Sequence, residues 1–144
     1  MKFSVFIFLL VSFSTMAQDA EVMEKKAREL YRVICLNDKE QWMKFVRDHY
    51  TPALIAKPIN GKVMNNGSET NLSDVTKGGS DIEAKANLLA RLHHDFGNGK
   101  LISVMPESNK VKMMVNNDQG LTATFDLTFD KNNMIDRFGV IAGN

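Results

Sequence analysis

Between Leu121 and Asp130 apolar and polar residues alternate without a break. Leu121, Ala123, Phe125, Leu127 and Phe129 fall on one side of an extended chain, and Thr122, Thr124, Asp126, Thr128 and Asp130 on the other. Side chains of a strand alternate with period two, so this is a strand with one face in a core and the other toward water or a partner. Lys100–Met105, Lys110–Asn116 and Met134–Ala142 also read as strands. The links between them, Pro106–Asn109, Asn117–Gly120 and Lys131–Asn133, are short and polar, which predicts an antiparallel meander of four strands.

The part before the strands has a helical period. Met23, Ala27, Leu30 and Ile34 recur on one stripe, with Val33 beside it, and predict a helix over 19–36 capped by Asp19 and ended by Asn37. Asp38 and Gln41 fit a capping box for a second helix carrying Trp42, Phe45, Val46 and His49 on one face. Thr51-Pro52 ends it and opens a short turn, Pro52–Ala56. A further helix starts at Ser80, with Glu83 as its box partner, and stops at Gly97. Ile82, Ala86, Leu89 and His93 form one of its stripes, and Leu88, Leu92 and Phe96 the adjacent one. Helices followed by consecutive antiparallel strands predict an α+β fold, the helices packed on one face of a curved, mainly antiparallel four-stranded sheet.

The first seventeen residues read as an address. Lys2 is a short positive region, Phe3–Phe13 an apolar run, and Thr15-Met16-Ala17 a small-residue cleavage signal. The run is about half of what a membrane span needs. A signal peptide at 1–17, a single domain at 18–144 and export to the periplasm or the exterior are therefore expected, with no stable membrane anchor after cleavage. Loss of Lys2 balances the charge, 18 Lys+Arg standing against 17 Asp+Glu in the whole chain. A neutral domain is a poor electrostatic partner for DNA or RNA, so no nucleic acid is expected. The one cysteine, Cys35, excludes an intrachain disulfide and a Cys-rich zinc site.

Lys57–Gly79 holds four Gly and four Asn and few large apolar groups. A structureless loop of that length is unusual in a compact domain. It is either a flexible lid or it contains a short hairpin around Asn65-Asn66-Gly67.

Four stretches carry a family likeness: Ile34-Cys35-Leu36-Asn37-Asp38, Phe45-Val46-Arg47-Asp48-His49-Tyr50-Thr51, Leu92-His93-His94-Asp95-Phe96-Gly97, and Phe125-Asp126-Leu127 with Ile135-Asp136-Arg137-Phe138-Gly139-Val140. In this the chain resembles small exported bacterial domains with a nuclear transport factor 2-like cone fold, of the kind found before beta-lactamase-type serine hydrolases. The hydrolase part is missing: neither Ser-x-x-Lys nor Lys-Thr-Gly occurs. The resemblance implies a pocketed scaffold, and such a fold alone does not decide catalysis.

Candidate chemistry is sparse. His93-His94-Asp95 joins imidazoles to a carboxylate, but neighbours on a helix diverge by about 100°, so His93 and His94 cannot chelate one ion from one face. The plain alternative is a half-buried His93 with one hydrogen bond. His49 could meet His93 across the core, and Asp126 could serve them if its face lined the cone; an isomerase or lyase reading rests on His49, His93 and Asp126 as an acid–base set. Tyr31, Trp42, His49, His93 and Phe125 are the candidate lining of a ligand pocket, with ordinary core packing as the alternative for each. No metal and no cofactor are expected. The expected function is an exported, non-catalytic binding or interaction module for a small apolar ligand or a protein partner. The alternatives are that enzyme, or a homodimerisation or partner-docking domain using the open sheet face.

Overall fold

The structure is a computed structural model that describes the backbone of residues 4–143 and the side chains of residues 16–143. Met1, Lys2 and Phe3, and the side chains of the apolar run expected to act as a leader, lie outside the described residues. The order is helix α1 (Ser4–Cys35), α2 (Lys39–His49), α3 (Pro52–Ala56), strands β1 (Lys62–Asn65) and β2 (Ser68–Asn71), α4 (Leu72–Val75), α5 (Asp81–Phe96), then β3 (Lys100–Glu107), β4 (Lys110–Asn116), β5 (Thr122–Phe129) and β6 (Ile135–Ala142).

Helix α1 starts well before the expected Asp19 cap. Nothing between Ser4 and Cys35 is Gly or Pro, so no residue there interrupts the hydrogen-bond ladder. Asp19 accepts instead from the Asn133 side chain, at 3.1 Å. Asn37 does not take the left-handed conformation expected of it. The helix closes through a tight Leu36 N to Val33 O bond of 3.1 Å. The Asp38 carboxylate caps α2, accepting from the amides of Glu40 and Gln41. Ser80 caps α5 through the Glu83 amide, and Glu83 in turn accepts from the Gly79 amide at 2.7 Å.

The four long strands form one open antiparallel sheet in the order β3-β4-β5-β6. Val111, Met113, Val115, Ala123, Phe125, Leu127, Phe129 and Ile135 are buried on its inner face. Helices α1, α2 and α5 pack against one another, and α1 also against β3 and β4. Met23, Ala27, Leu30, Ile34, Phe45, Val46, Ala86 and Leu89 fill the layer between. Irregular registers between Leu101 and Ser103 and between Thr128 and Phe129 raise the local twist.

The Gly- and Asn-rich segment contains the hairpin. Lys62 pairs with Asn71 and Asn65 with Ser68. Asn66 and Gly67 both have positive φ, 50° and 80°, as a two-residue turn matched to the twist of antiparallel strands requires.

Candidate functional site

The residues singled out from the sequence do not converge. Tyr31 is buried and its hydroxyl donates weakly to the Phe96 carbonyl oxygen, at 3.4 Å. Burial pushes its phenol well above the usual range, and raises the neighbouring Cys35 thiol too. Trp42 Nε1 donates to the Val33 carbonyl oxygen at 2.8 Å, and its ring lies 5.8 Å from that of His93. His93 Nδ1 donates to the Ile34 carbonyl oxygen at 2.8 Å, so this imidazole staples α5 to the end of α1. The His49 ring lies tilted against that of Phe45, centroids 4.6 Å apart, and its Nδ1 is buried without a partner among the described residues. Burial, then Lys26, lowers its pKa, against Asp48 and Glu29. Phe125 is fully buried, edge-on to Phe96 and Phe138.

Asp126 lies across the sheet from all of these. It follows Phe125, whose ring points inward, so the carboxylate points outward. There it sits in register with Lys112 on β4 and Gly139 on β6. One of its oxygens is buried without a partner among the described residues. The acid–base set of His49, His93 and Asp126 is thus not assembled: the histidines belong to the helical layer and the carboxylate to the opposite face. Among the described residues no group of three His, Cys, Asp or Glu could hold a metal ion.

The principal cavity lies elsewhere. A cleft of about 790 Å³ opens between α5, β6 and the segment that follows α3. None of Tyr31, Trp42, His49, His93 and Phe125 borders it: Tyr31, Trp42 and Phe125 belong to the buried core, His93 is bonded to the end of α1, and His49 lies against Phe45. Its apolar surface comes from Leu54, Leu88, Leu92, Phe96, Phe138 and Val140. Tyr50 also borders it, and the Tyr50 hydroxyl is buried with no partner among the described residues.

Cations outnumber acids around this cleft. Lys57, Lys62, Lys85, Arg91 and Arg137 border it, against Asp95 and Asp118. Arg91 is neutralised by Asp95 at 3.1 Å, and His94 Nδ1 also meets Asp95, at 3.0 Å. Lys62 pairs with Glu69 at 3.1 Å. Lys57, Lys85 and Arg137 make no ion pair among the described residues. Lys85 is the unusual one, only 6% exposed. Its ammonium donates to the Lys57 carbonyl oxygen, and burial lowers its pKa, with Asp81 opposing and Lys57 reinforcing.

Lys85 was readable in the sequence. It precedes Leu88, Leu92 and Phe96 by three, seven and eleven residues and so continues their apolar stripe. A lysine on such a stripe is seldom buried unless its charge has a purpose or a partner. Arg137 gave no comparable signal, since a charge on an outer strand is ordinary. No protein-family model, curated protein or solved structure matches the chain significantly.

Proposed function

We propose that the protein is an exported, non-catalytic binding module, and that its cleft takes an elongated ligand with an apolar body and negative charge. The observation that carries this reading is the chemistry of the cleft: an apolar floor from α5 and β6, with the nearly buried Lys85 ammonium in it and Lys57 and Arg137 uncompensated nearby. In a concave, partly desolvated site a cation attracts an anion more strongly than it would in water. The nuclear transport factor 2-like resemblance belongs to the same proposal. The order of elements, with helices on one face of an open antiparallel sheet, supports it. Export rests on the leader-like residues 1–17; among the described residues, no helix is long and apolar enough to cross a membrane.

The test uses 1-anilinonaphthalene-8-sulfonate, an apolar fluorophore carrying one negative charge. Its fluorescence should rise saturably with the folded protein and fall with added salt. Arg137→Gln combined with Lys57→Gln should weaken binding by roughly three- to tenfold. Equal binding by the wild-type and the double variant would defeat the reading.

A second reading has its own observation. Ile102, Met105, Met114 and Ile141 are 37–63% exposed, and the last three lie on the outer sheet face. An apolar patch on an open sheet favours homodimerisation or partner docking there. Sedimentation equilibrium of the wild-type protein and of Met114→Lys distinguishes a dimer from a monomer.

A further inference from the structure

Part of β6 is a sheet edge to which, among the described residues, no further strand is hydrogen-bonded. The strand closes one side of the sheet. Its register with β5 is unbroken from Arg137 to Ala142, and the next amide, Gly143, donates to the Thr122 carbonyl oxygen at 2.7 Å. Bonded pairs alternate in an antiparallel ladder. Arg137, Gly139 and Ile141 therefore bond to β5, while the amides and carbonyls of Phe138, Val140 and Ala142 turn to the open side. Among the described residues no main-chain bond from another element reaches these three. All three border the cleft.

This edge carries none of the usual protection. Residues 138–142 read Phe-Gly-Val-Ile-Ala, without a charge or a proline. The opposite edge strand, β3, contains Pro106 and ends on Glu107. Proteins commonly blunt an unpaired edge with such residues. At its start β6 already accepts a single bridge: Tyr50 bridges Ile135 in the parallel sense, and Thr51 N donates to the Ile135 carbonyl oxygen at 2.9 Å. Pro52 then turns the chain into α3, and the edge beyond is left open.

We infer that the ligand of the cleft is an extended acidic peptide that pairs with Phe138, Val140 and Ala142 of β6 as a fifth strand. This rests on the binding role proposed above and names its ligand class. Main-chain bonds to the edge provide affinity, and alternate side chains provide selectivity. Apolar residues of the peptide meet Leu54, Leu92 and Phe96; its carboxylates meet Lys57 and Arg137. A second copy of this chain is a poorer occupant, because it would bring the same unpaired cations to the junction.

The probe is an acetylated, amidated peptide of the length of β6 that alternates valine and glutamate. Amide exchange at Phe138, Val140 and Ala142 should slow by roughly tenfold or more on saturation, while Arg137, Gly139 and Ile141 change little. Methylating the peptide's alternate amide nitrogens should abolish binding in one register and spare it in the other. Val140→Pro removes an edge donor that the ladder does not use; it should lose the peptide while circular dichroism shows the domain still folded. If the fluorophore binds but the peptide protects none of the three amides, the peptide inference falls and the cleft reading stands. If neither binds, both fall. Protection that grows with protein concentration alone makes a second copy the occupant and overturns the inference.

Discussion

The ammonium group of Lys85 donates to the main-chain carbonyl oxygen of Lys57, tying α5 to the residue that ends α3. The bond satisfies the amine but leaves its charge in a poorly hydrated place. Burial disfavours the protonated form in the folded state, so the cost grows as pH falls from the unfolded value of 10.5 and is carried at neutral pH. Lys85→Met is therefore expected to stabilise the protein by about 1 kcal/mol while weakening binding of the anionic fluorophore. Urea unfolding at pH 7 and a fluorescence titration read the two effects. A variant less stable than wild-type would show that the amine's bond outweighs its desolvation.

Trp42 and Leu36 share one acceptor. Leu36 N and Trp42 Nε1 both donate to the Val33 carbonyl oxygen, at 3.1 and 2.8 Å. That oxygen fixes the sharp corner between α1 and α2, where the helix end would otherwise leave carbonyls unmet. Trp42→Phe keeps most of the packing and removes one of the two donors, so a loss of about 1 kcal/mol is expected. Trp42→Ala also opens a cavity beside His93 and should cost about 3–5 kcal/mol. Circular dichroism during urea unfolding measures both, since neither variant retains a tryptophan.

These two residues mark what the sequence made legible. Strands with strict alternation, and helices begun by Asp38, Thr51 and Ser80, were readable because periodicity and caps are local. The start of α1 was not, because a chain without Gly or Pro gives no stop signal and Asp19 resembles a cap that α1 does not use. The plain expectation for His93, half-buried with one hydrogen bond, matches the structure; that its partner, like that of Trp42, is a helix-end carbonyl only tertiary packing reveals. The cleft was least legible: it draws on α3, α5, β6 and the 117–121 turn, which nothing in the sequence order brings together. Asp126 lies on the polar face of β5, as the alternation of the sequence implies, and this orientation is what separates it from the histidines.

From that separation Asp126→Asn should leave fluorophore binding in the cleft unchanged within about twofold. The substitution keeps the shape, and the sheet lies between this side chain and the helical layer. A clear loss of cleft binding, measured by the same titration, would reopen a joint role for Asp126 and the inner-face groups.

Two glycines should fail differently when replaced by alanine. At Gly67 φ is +80° and an added Cβ meets nothing within 4 Å. The strain there is conformational and local, about 1 kcal/mol, so exchange should quicken in β1 and β2 and not in the main sheet. At Gly99 an added Cβ would collide with the Asn116 carbonyl oxygen, where β3 begins beside the end of β4. Backbone must move there, and the cost should exceed roughly 2 kcal/mol and appear as a lower Tm of the whole domain.

His49 should make stability depend on pH. Phe45 covers its ring and its Nδ1 is buried without a partner among the described residues; Lys26 and Lys44 disfavour its charge, while Asp48 and Glu29 favour it. Burial dominates, so the folded-state pKa lies below the ordinary imidazole value of 6.5. Between those two values the unfolded chain binds more protons than the folded one, and stability therefore rises with pH. The contribution is complete above 6.5 and is lost as pH falls toward the folded value. His49→Gln cannot titrate and should show a flatter profile over that window, measured by urea unfolding at half-unit steps. The carboxylates whose pKa values are depressed, Glu29, Asp48 and Glu83, lose their contribution only at lower pH, so the two effects separate along the pH axis. An identical slope in the variant just below pH 6.5 would assign the dependence to another group.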